Sequence, residues 1–456
     1  MKFRKIQRKP FLYCQEQQHP ALFLTMRTGK CFITLKDIEY QEAFPALICV
    51  PLSTIYGWVQ DLEKLGYGEE DYTVLIGTKE NKAKEFPDLA EKKFILTNKE
   101  FFISIPSLIK KLNFKAVVVD ESTCLKNYKT RIYKFFTKNF RDTERRYILT
   151  GTSMTGSVLD IYGQMQFLDP TFFNCKTFWD FQNKFFIELY PHHFVLKPHL
   201  SESFYKRLSE RCCFITLSDV RKSIGKKDLE INRTVRTFEL SEEMREIYIK
   251  LKEDFLVSYE DNILFGFNHF LQSLVYLRKL CSGYLTINPE TKETKFIDPA
   301  KYQLLMDILK DEIPDYKVII LCNFYDEINQ IKYQFDKRKL KYGIITGKTA
   351  PIDRGKVMND FQTGKIQYVI GNSTCLKFGV TLSEADLLIE FSSILGAETR
   401  EQVEFRGTDI YKDNSMDILH LIADKSIETF FYKKAGEQIS NKKLHEELLT
   451  FLKEEE

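Results

Sequence analysis

The sequence predicts an α/β protein made of two parallel-sheet domains joined by a helical segment. Short apolar runs of four to eight residues alternate with longer helical stretches in the first 155 residues. The same rhythm returns near the end of the chain, from about residue 317. Between them, apolar residues recur every three or four positions, which is typical of amphipathic helices. We therefore predict a first lobe over residues 1–200, a helical insertion and linker over 201–298, and a second lobe over 299–456.

The predicted strands are rich in β-branched residues and end at polar residues or glycine, as buried parallel strands do. In the first lobe they are ALFLTM, ALICVPLS, YTVLIG, KKFILTN, FKAVVVDE and RRYILTGT. In the second lobe they are KVIILCNF, YGIITG, IQYVIGNS, ADLLIEFS and MDILHLIA. The predicted insertion contains SEEMREIYIKLKEDFLVSYE and NHFLQSLVYLRKLCSGYL, which read as helices.

The composition excludes several classes of protein. Because 67 basic residues balance 64 acidic ones, any nucleic-acid contact must be a local basic groove. The ten cysteines include no CxxC pair, which argues against a zinc site and a disulfide framework and favours a reducing compartment. Since no apolar run reaches about 18 residues, we expect no membrane contact and a soluble, intracellular protein of the cytoplasm or a host cytoplasm.

A phosphate-binding loop is predicted at TMRTGKCF, residues 25–32. The full pattern requires a glycine, four free positions, and then Gly-Lys-Ser/Thr. Gly29 and Lys30 are present, whereas Leu24 replaces the first glycine and Cys31 replaces the hydroxyl. A strand precedes the loop and a helix follows it, so Lys30 would lie at a helix N-terminus that favours anions. A chance Gly-Lys pair is the alternative.

A second Gly-Lys pair, in TGKT at residues 346–349, matches the local pattern better. Its upstream glycine is Gly343, although position 342 is required. We expect Pro351 to interrupt the following helix, which favours a turn lysine at Lys348.

Two carboxylates follow the apolar run in AVVVDES, residues 116–122. Asp120 and Glu121 would lie at the carboxyl end of a buried strand, the edge where α/β sheets bind ligands. Asp120 could hold Mg²⁺ through its water shell, and Glu121 could orient the water that attacks a γ-phosphate. A strand ending in an acidic turn is the alternative.

Together with LTGTSMTGSVLDIYGQMQFLDP, these segments resemble the Swi/Snf-type superfamily-two helicase-like ATPases in a compact phage- or prokaryote-like form. Further matching segments occur in the family's order: ALICVPLSTIYGWVQDLEKL, VVVDESTCLKNYKTRIYKF, LVYLRKLCSGYL, KVIILCNFYDEINQI, STCLKFGVTLSEADLLIEF and REQVEFRGTDIYKDNSMDILHLI. The resemblance implies two RecA-like lobes with ATP in the cleft between them and DNA across the top.

The resemblance also implies roles for individual residues. Nucleotide binding would involve Thr28, Gly29, Lys30, Cys31, Thr150, Gly151, Thr152 and Gly379. Catalysis would involve Lys30, Asp120, Glu121, Gln402 and Arg406, with Asp120 on Mg²⁺. Contacts to the backbone of double-stranded DNA, without base specificity, would involve Ser53, Lys126, Asn127 and Thr374. Ordinary capping, turn and surface roles are the alternatives for Thr150, Thr152, Arg406 and these four polar residues.

The sequence departs from the family pattern at sites that affect hydrolysis. The Cys31 thiol is a poor ligand for Mg²⁺, and Asp409 stands where a second arginine is expected. Thr25 and Thr123 replace an acidic residue and a histidine. Beside Lys30 at a helix N-terminus, Cys31 is also expected to have a lowered pKa and to be open to oxidation.

Two functions follow from these observations. The first is a DNA-dependent ATPase that moves on DNA. The second is a weakened nucleotide-binding clamp that binds nucleic acid or a protein partner without efficient turnover.

Overall fold

A computed structural model describes most of the chain. The described residues are 3–52, 54–76, 89, 91–104, 112–151, 157–190, 193–261, 267–288, 290–291, 293–376, 384–394, 399–400, 402–404, 416–434, 447–448 and 450–452. The chain divides into two compact units, Met1–Asp228 and Leu229–Glu456. Each unit is built around one parallel sheet.

The first unit contains a seven-stranded sheet in which every recorded pairing is parallel. Its strands are β1 (Ala21–Leu24), β2 (Ala46–Cys49), β3 (Tyr72–Leu75), β4 (Phe94–Thr97), β5 (Ala116–Asp120), β6 (Arg145–Thr150) and β9 (Cys213–Ile215). Their spatial order is β3-β4-β2-β5-β6-β1-β9. Strands β1, β2, β4, β5 and β6 are buried at every position, which explains their unbroken apolar runs.

Helices connect these strands, and one antiparallel hairpin lies outside the sheet. The helices are α1 (Lys5–Glu16), α2 (Lys30–Tyr40), α3 (Ile55–Lys64), α4 (Lys99–Ser104), α5 (Arg131–Asn139), α6 (Ile161–Leu168), α7 (Phe178–Phe185), α8 (Pro198–Arg211) and α9 (Leu217–Ser223). Short 3₁₀ turns cover Ser122–Leu125 and Val158–Asp160. The hairpin consists of β7 (Phe186–Tyr190) and β8 (His193–Leu196).

A buried polar cluster fixes α2 against the sheet. Asp37 of α2 is fully buried, and its Oδ2 accepts hydrogen bonds from Arg145 Nη2 and Tyr147 Oη, both at 2.7 Å. Arg145 also donates to the Cys14 and Gln17 carbonyls at the end of α1. The helix that begins at Lys30 is therefore tied to both β6 and α1.

The second unit contains a six-stranded sheet, again with parallel pairings, in the order β10-β17-β16-β13-β15-β14. Its strands are β10 (Ile231–Phe238), β13 (Val318–Cys322), β14 (Tyr342–Ile345), β15 (Tyr368–Asn372), β16 (Leu387–Glu390) and β17 (Met416–Ala423). A separate hairpin joins β11 (Tyr284–Asn288) and β12 (Glu293–Phe296). The helices are α10 (Glu242–Asp261), α11 (Phe267–Cys281), α12 (Ala300–Asp307), α13 (Tyr325–Arg338), α14 (Pro351–Gln362), α15 (Ser373–Leu376) and α16 (Ile427–Lys434), with a π-helical turn at Ile308–Glu312.

The two predicted parallel-sheet domains are confirmed, and residues 201–298, predicted as a helical insertion and linker, contain strands as well as helices. Helices α10 and α11 lie in this region as predicted. However, β9 pairs with β1 in the first sheet, and β10 pairs with β17 in the second. Both are edge strands; β9 has only three residues, and β10 has only half-buried and exposed residues, so neither has the unbroken apolar run of a central strand.

Candidate functional site

The loop before α2 is held in one conformation by its glycine and by α1. Gly29 has φ +84°, in the left-handed region that favours glycine. A Cβ at this position would lie 2.2 Å from Gln7 Nε2, so a side chain would collide with α1. The Thr28 hydroxyl donates to the Thr25 carbonyl at 2.7 Å and closes the turn. The sequence therefore places a tight loop at the N-terminus of α2.

Lys30 is the first residue of α2, and its side chain lies at the carboxyl ends of β1 and β6. Its Nζ donates to the Leu24 carbonyl at 2.8 Å. A Cβ added to Gly151 would lie 3.7 Å from both Lys30 Nζ and the Leu24 oxygen. The Lys30 ammonium thus lies near the N-terminus of α2, whose first N–H groups have no partner within the helix. This arrangement favours the binding of phosphate.

The two predicted carboxylates lie at the end of β5. Asp120 is 9% exposed, and its Oδ2 accepts a hydrogen bond from Trp58 Nε1 at 3.0 Å. Its Oδ1 accepts from the backbone N–H of Glu121, also at 3.0 Å. Glu121 has a left-handed backbone with φ +49° and ψ +60°, a conformation that is costly for a residue with a Cβ and is found often at functional sites.

The next strand contributes a hydroxyl to this pair. Thr150, at the end of β6, donates from Oγ1 to Glu121 Oε2 at 3.3 Å. Behind them, the buried Ser122 hydroxyl donates to Gln164 Oε1 of α6 at 2.8 Å. Among the predicted residues of the first unit, the structure thus links Glu121 directly to Thr150 and places Gly151 beside Lys30.

The predicted low pKa of Cys31 is wrong. Burial raises the pKa of the Cys31 thiol well above its usual value, and the carboxylates of Asp120 and Asp61 raise it further. The ammonium of Lys30 lowers it, but this effect is smaller. The thiol is therefore neutral at physiological pH, which removes the basis for a reactive, redox-sensitive Cys31.

Sequence reasoning missed Gln7, which lies on the buried face of α1. Its side chain is 4% exposed, and its Nε2 donates to the Thr28 carbonyl at 2.9 Å. Its Oε1 accepts from the Arg4 backbone N–H at 2.9 Å. The signal in the sequence was a glutamine at the spacing of the buried residues Pro10 and Cys14.

Trp58 was also missed. It is fully buried on α3, in line with Ile55 and Leu62, and it donates the hydrogen bond to Asp120. It is one of only two tryptophans in the chain, and its spacing from Ile55 and Leu62 indicates a buried helix face. Nothing in the local sequence indicates that its indole N–H points to a carboxylate 62 residues away.

Two of the predicted DNA contacts of the first unit, Lys126 and Asn127, follow β5 in the chain. Asn127 is exposed, and its Oδ1 accepts from the Lys129 backbone N–H at 2.9 Å. Lys126 Nζ lies 3.6 Å from Asp160 Oδ2. Ser53 lies outside the described residues. Lys126 and Asn127 are accessible from solvent, as a backbone contact requires.

In the second unit, Thr374 and Gln402 occupy different environments. Thr374 is exposed on α15, and its backbone N–H donates to Asn372 Oδ1 at 3.0 Å. Gln402 is 1% exposed. The predicted residues Thr152, Gly379 and Arg406 lie outside the described residues, as does Asp409.

The expectation that Pro351 interrupts a helix is wrong, because α14 begins at this proline. A proline in the first turn needs no hydrogen-bonded N–H and is well tolerated there. Lys348 Nζ lies 5.1 Å from the centre of the Tyr325 ring, and Thr349 Oγ1 accepts from the Thr346 N–H at 2.9 Å. These contacts fit the interpretation of Lys348 as a turn residue.

Two parallel sheets and a phosphate-type loop before α2 define the class as a two-domain α/β protein of the helicase type. The chain belongs to the SNF2-related domain family, whose match covers residues 14–284. The helicase conserved C-terminal domain matches residues 300–407. The predicted Swi/Snf-type relationship is confirmed.

Similar proteins come from bacteria and yeast. The chain is 24% identical to the uncharacterized ATP-dependent helicase MG018 of Mycoplasma genitalium over 88% of this chain and 37% of that protein. It is 24% identical to the nuclear protein STH1/NPS1 of Saccharomyces cerevisiae over 91% of this chain and 32% of that protein. The chain thus spans about a third of the length of these relatives.

Among solved structures, the chain is similar to the SWI2/SNF2 ATPase core of Sulfolobus solfataricus in complex with double-stranded DNA. The identity is 20%, the TM-score is 0.44, and the match covers 98% of this chain and 96% of that one. No helix in the described part of the chain is long and apolar enough to cross a membrane.

Proposed function

We propose that this chain is a Swi/Snf-type motor that hydrolyses ATP and moves along double-stranded DNA. The observation that carries the proposal is the cluster at the carboxyl ends of three neighbouring strands. Lys30 follows β1, Asp120 and Glu121 end β5, and Thr150 ends β6. This is the edge where parallel α/β sheets bind ligands.

In this proposal Lys30 binds the phosphates of ATP. Its ammonium exchanges the Leu24 carbonyl for phosphate oxygens, and the N–H groups at the start of α2 donate to the same anion. Gly151 leaves room beside the ammonium, since any larger residue would approach it. Thr28, Gly29, Cys31, Thr152 and Gly379 remain predicted nucleotide contacts.

Glu121 orients the attacking water. Its carboxylate can accept a hydrogen bond from water, while the Thr150 hydroxyl holds Oε2. Water then attacks the γ-phosphorus, and the bond to the ADP oxygen breaks. Gln402 and Arg406 remain predictions, with Arg406 stabilising charge on the transferred group.

Asp120 is the residue that fits a magnesium ion. Its carboxylate offers hard oxygen ligands at the strand end, and two donors fix its orientation. The neutral Cys31 thiol does not fit, since it is a soft ligand. Mg²⁺ held here would neutralise charge on the phosphate oxygens.

DNA binding is proposed for Ser53, Lys126, Asn127 and Thr374, which would contact the sugar-phosphate backbone. Contacts of this kind position a strand without reading its bases. The exposure of Asn127 and Thr374 supports this role.

The test is the rate of ATP hydrolysis with no DNA, with single-stranded DNA and with double-stranded DNA. We expect stimulation by DNA, loss of nucleotide binding in Lys30→Ala, and loss of turnover with retained binding in Glu121→Gln. Lys348→Ala is the matched control, because it removes the lysine of the other Gly-Lys pair. Equal hydrolysis by the wild type and Glu121→Gln would contradict the proposal.

The second candidate is a clamp that binds nucleotide without efficient turnover. The neutral Cys31 in place of a hydroxyl is the observation that favours it. Stabilisation of the fold by ATP, seen as a higher melting temperature, without DNA-stimulated phosphate release would support the clamp.

A further inference from the structure

A pocket lies in the first unit, at the predicted DNA contact Asn127. Its volume is about 440 Å³, within the range of about 300–1,000 Å³ that is typical of small-ligand sites. It is lined by residues from the segment after β5, from α7 and from the β7–β8 hairpin. These residues are Asn127, Tyr128, Lys129, Phe178, Trp179, Gln182, Glu188 and Phe194.

The aromatic side chains of this pocket form a fixed platform. The Tyr128 and Phe178 rings stack with centroids 4.7 Å apart and planes at 20°, and Tyr162 packs edge-on against Phe178 at 5.4 Å. Trp179 follows Phe178 at the start of α7, where Thr177 caps the helix. The Trp179 side chain is nevertheless 62% exposed. A large exposed ring on an anchored helix start is suited to stacking.

A glutamine side chain lines the same pocket. Gln182 lies one turn after Phe178 on α7 and is only 5% exposed. Its amide carries both a donor and an acceptor, which a ligand in the pocket could use.

The segment that lines the pocket leads directly into a basic helix, α5. Residues 126–138 contain five basic residues and no acidic residue. Arg131, Lys134 and Lys138 are all exposed, and their spacing places them on one face of α5. Within the described chain these three residues form no ion pair. Nearby acidic groups are Asp160, which lies beside Lys126, Glu188, which lines the pocket, and Asp180, which follows Trp179 and takes part in the capping box of α7.

We propose that this pocket binds an unpaired nucleobase of a DNA strand, whose phosphates lie along the basic face of α5. The base stacks on Trp179, and the Gln182 amide hydrogen-bonds to its edge. A basic track beside exposed aromatic rings is the pattern by which proteins bind single strands without base specificity. The inference rests on the proposed DNA-dependent function and adds a single-stranded segment to its substrate.

Charge and polarity favour a nucleic acid over an apolar peptide. A peptide that needs only apolar contacts would form no hydrogen bond to the Gln182 amide and would gain nothing from Arg131, Lys134 and Lys138. A nucleotide can stack on the aromatic rings with its base, form hydrogen bonds to the Gln182 amide and place its phosphate near the cations. Glu188 can accept a hydrogen bond from an exocyclic amine of the base.

The first experiment uses tryptophan fluorescence of the full chain. The chain has two tryptophans, of which Trp58 is fully buried and Trp179 is exposed, so stacking should quench Trp179 selectively. We expect quenching by single-stranded DNA, less by a blunt duplex, and less by a strand of the same length with abasic sites. Equal quenching by intact and abasic strands would overturn the proposal.

The second experiment measures the affinity for labelled single-stranded DNA. Trp179→Ala should weaken Kd about 5- to 150-fold, as expected for one lost base stack, and Trp179→Phe should restore part of it. Gln182→Leu should also weaken binding. Tyr40→Ala is the matched control, because Tyr40 is 65% exposed in the same unit but lies outside the pocket.

Salt dependence separates stacking from phosphate contacts. In the Lys134→Ala/Lys138→Ala double variant, the slope of log K against log salt should fall by about 1.4, at about 0.7 for each phosphate contact. In Trp179→Ala the slope should stay unchanged while the affinity falls. An unchanged Kd in Trp179→Ala would overturn the inference and leave the pocket as a protein-docking surface.

The experiments distinguish a failure of the pocket proposal from a failure of the proposed motor function. DNA-stimulated hydrolysis with no Trp179 quenching would refute the pocket and leave the motor intact. Quenching and a weakened Trp179→Ala variant without any stimulated hydrolysis would support the pocket and refute the motor.

Discussion

The hydrogen bond from Trp58 to Asp120 gives a sharp test of the proposed magnesium site. Trp58→Phe removes the indole N–H that donates to Asp120 Oδ2 at 3.0 Å and keeps an aromatic ring in the core. Trp58 is fully buried and Asp120 is 9% exposed, so water cannot readily replace the donor. The carboxylate would then lose the hydrogen bond from Trp58 and keep the one from the Glu121 backbone N–H.

The magnitude follows from the type of hydrogen bond. A hydrogen bond to a charged group contributes about 1.5–3 kcal/mol, which corresponds to a factor of about 12–150 in an equilibrium constant. Loss of a partner that orients a metal ligand typically costs about 10–100-fold in metal affinity. We therefore expect the Mg²⁺ concentration for half-maximal activity to rise about 10- to 100-fold in Trp58→Phe.

The assay is a magnesium titration of ATP hydrolysis, or of fluorescent-ATP binding if turnover is slow. Tyr40→Phe is the matched control, because it changes an exposed aromatic side chain of the same unit and leaves Asp120 untouched. Urea denaturation of both variants separates any loss of stability caused by the smaller ring from a loss of metal affinity. A half-saturating Mg²⁺ concentration within twofold of the wild type, in a folded Trp58→Phe protein, would refute the reasoning.

Three further predictions concern single side chains. Cys31→Ser replaces a neutral thiol by a hydroxyl, which is a better ligand for Mg²⁺, so the Mg²⁺ concentration for half-maximal activity should fall about 2- to 12-fold. A rise would contradict the placement of residue 31 beside the magnesium ion. Arg145→Ala leaves the fully buried carboxylate of Asp37 without its cation, and urea denaturation should show a loss of about 3–5 kcal/mol. Burial and the nearby Arg146 lower the pKa of His19 to about 4 from its usual 6.5. As the pH falls from 6.5 to 4, the imidazole of the unfolded chain binds a proton while that of the folded chain does not. The free energy of unfolding should therefore fall by about 1 kcal/mol over this range, and His19→Asn should abolish this pH dependence.

Much of the fold could be predicted because the central strands are buried on both faces. Runs such as FKAVVVDE contain enough apolar residues to identify a strand without knowledge of its neighbours. The edge strands β9 and β10 have no such signal, because β9 is only three residues long and β10 has only half-buried and exposed residues. Their positions depend on pairing with β1 and β17, which are distant in sequence.

The local pattern also predicted which residues follow the strands, and hence that Lys30, Asp120, Glu121 and Thr150 could meet. Parallel strands present their carboxyl ends at one edge, so residues far apart in sequence arrive at the same place. The direct hydrogen bond from Thr150 to Glu121 and the position of Gly151 beside Lys30 fit this expectation.

By itself, then, the sequence determined the class of fold, the family resemblance and the strand ends that carry the candidate site, because each depends on residues close together in the chain. Only the tertiary structure decided that Gln7 holds the loop before α2, that Trp58 donates a hydrogen bond to Asp120 and that the pKa of Cys31 rises. It also placed Trp179 and Asn127 in the lining of the same pocket. These features depend on burial and on contacts between distant segments, and a local pattern of residue types contains neither.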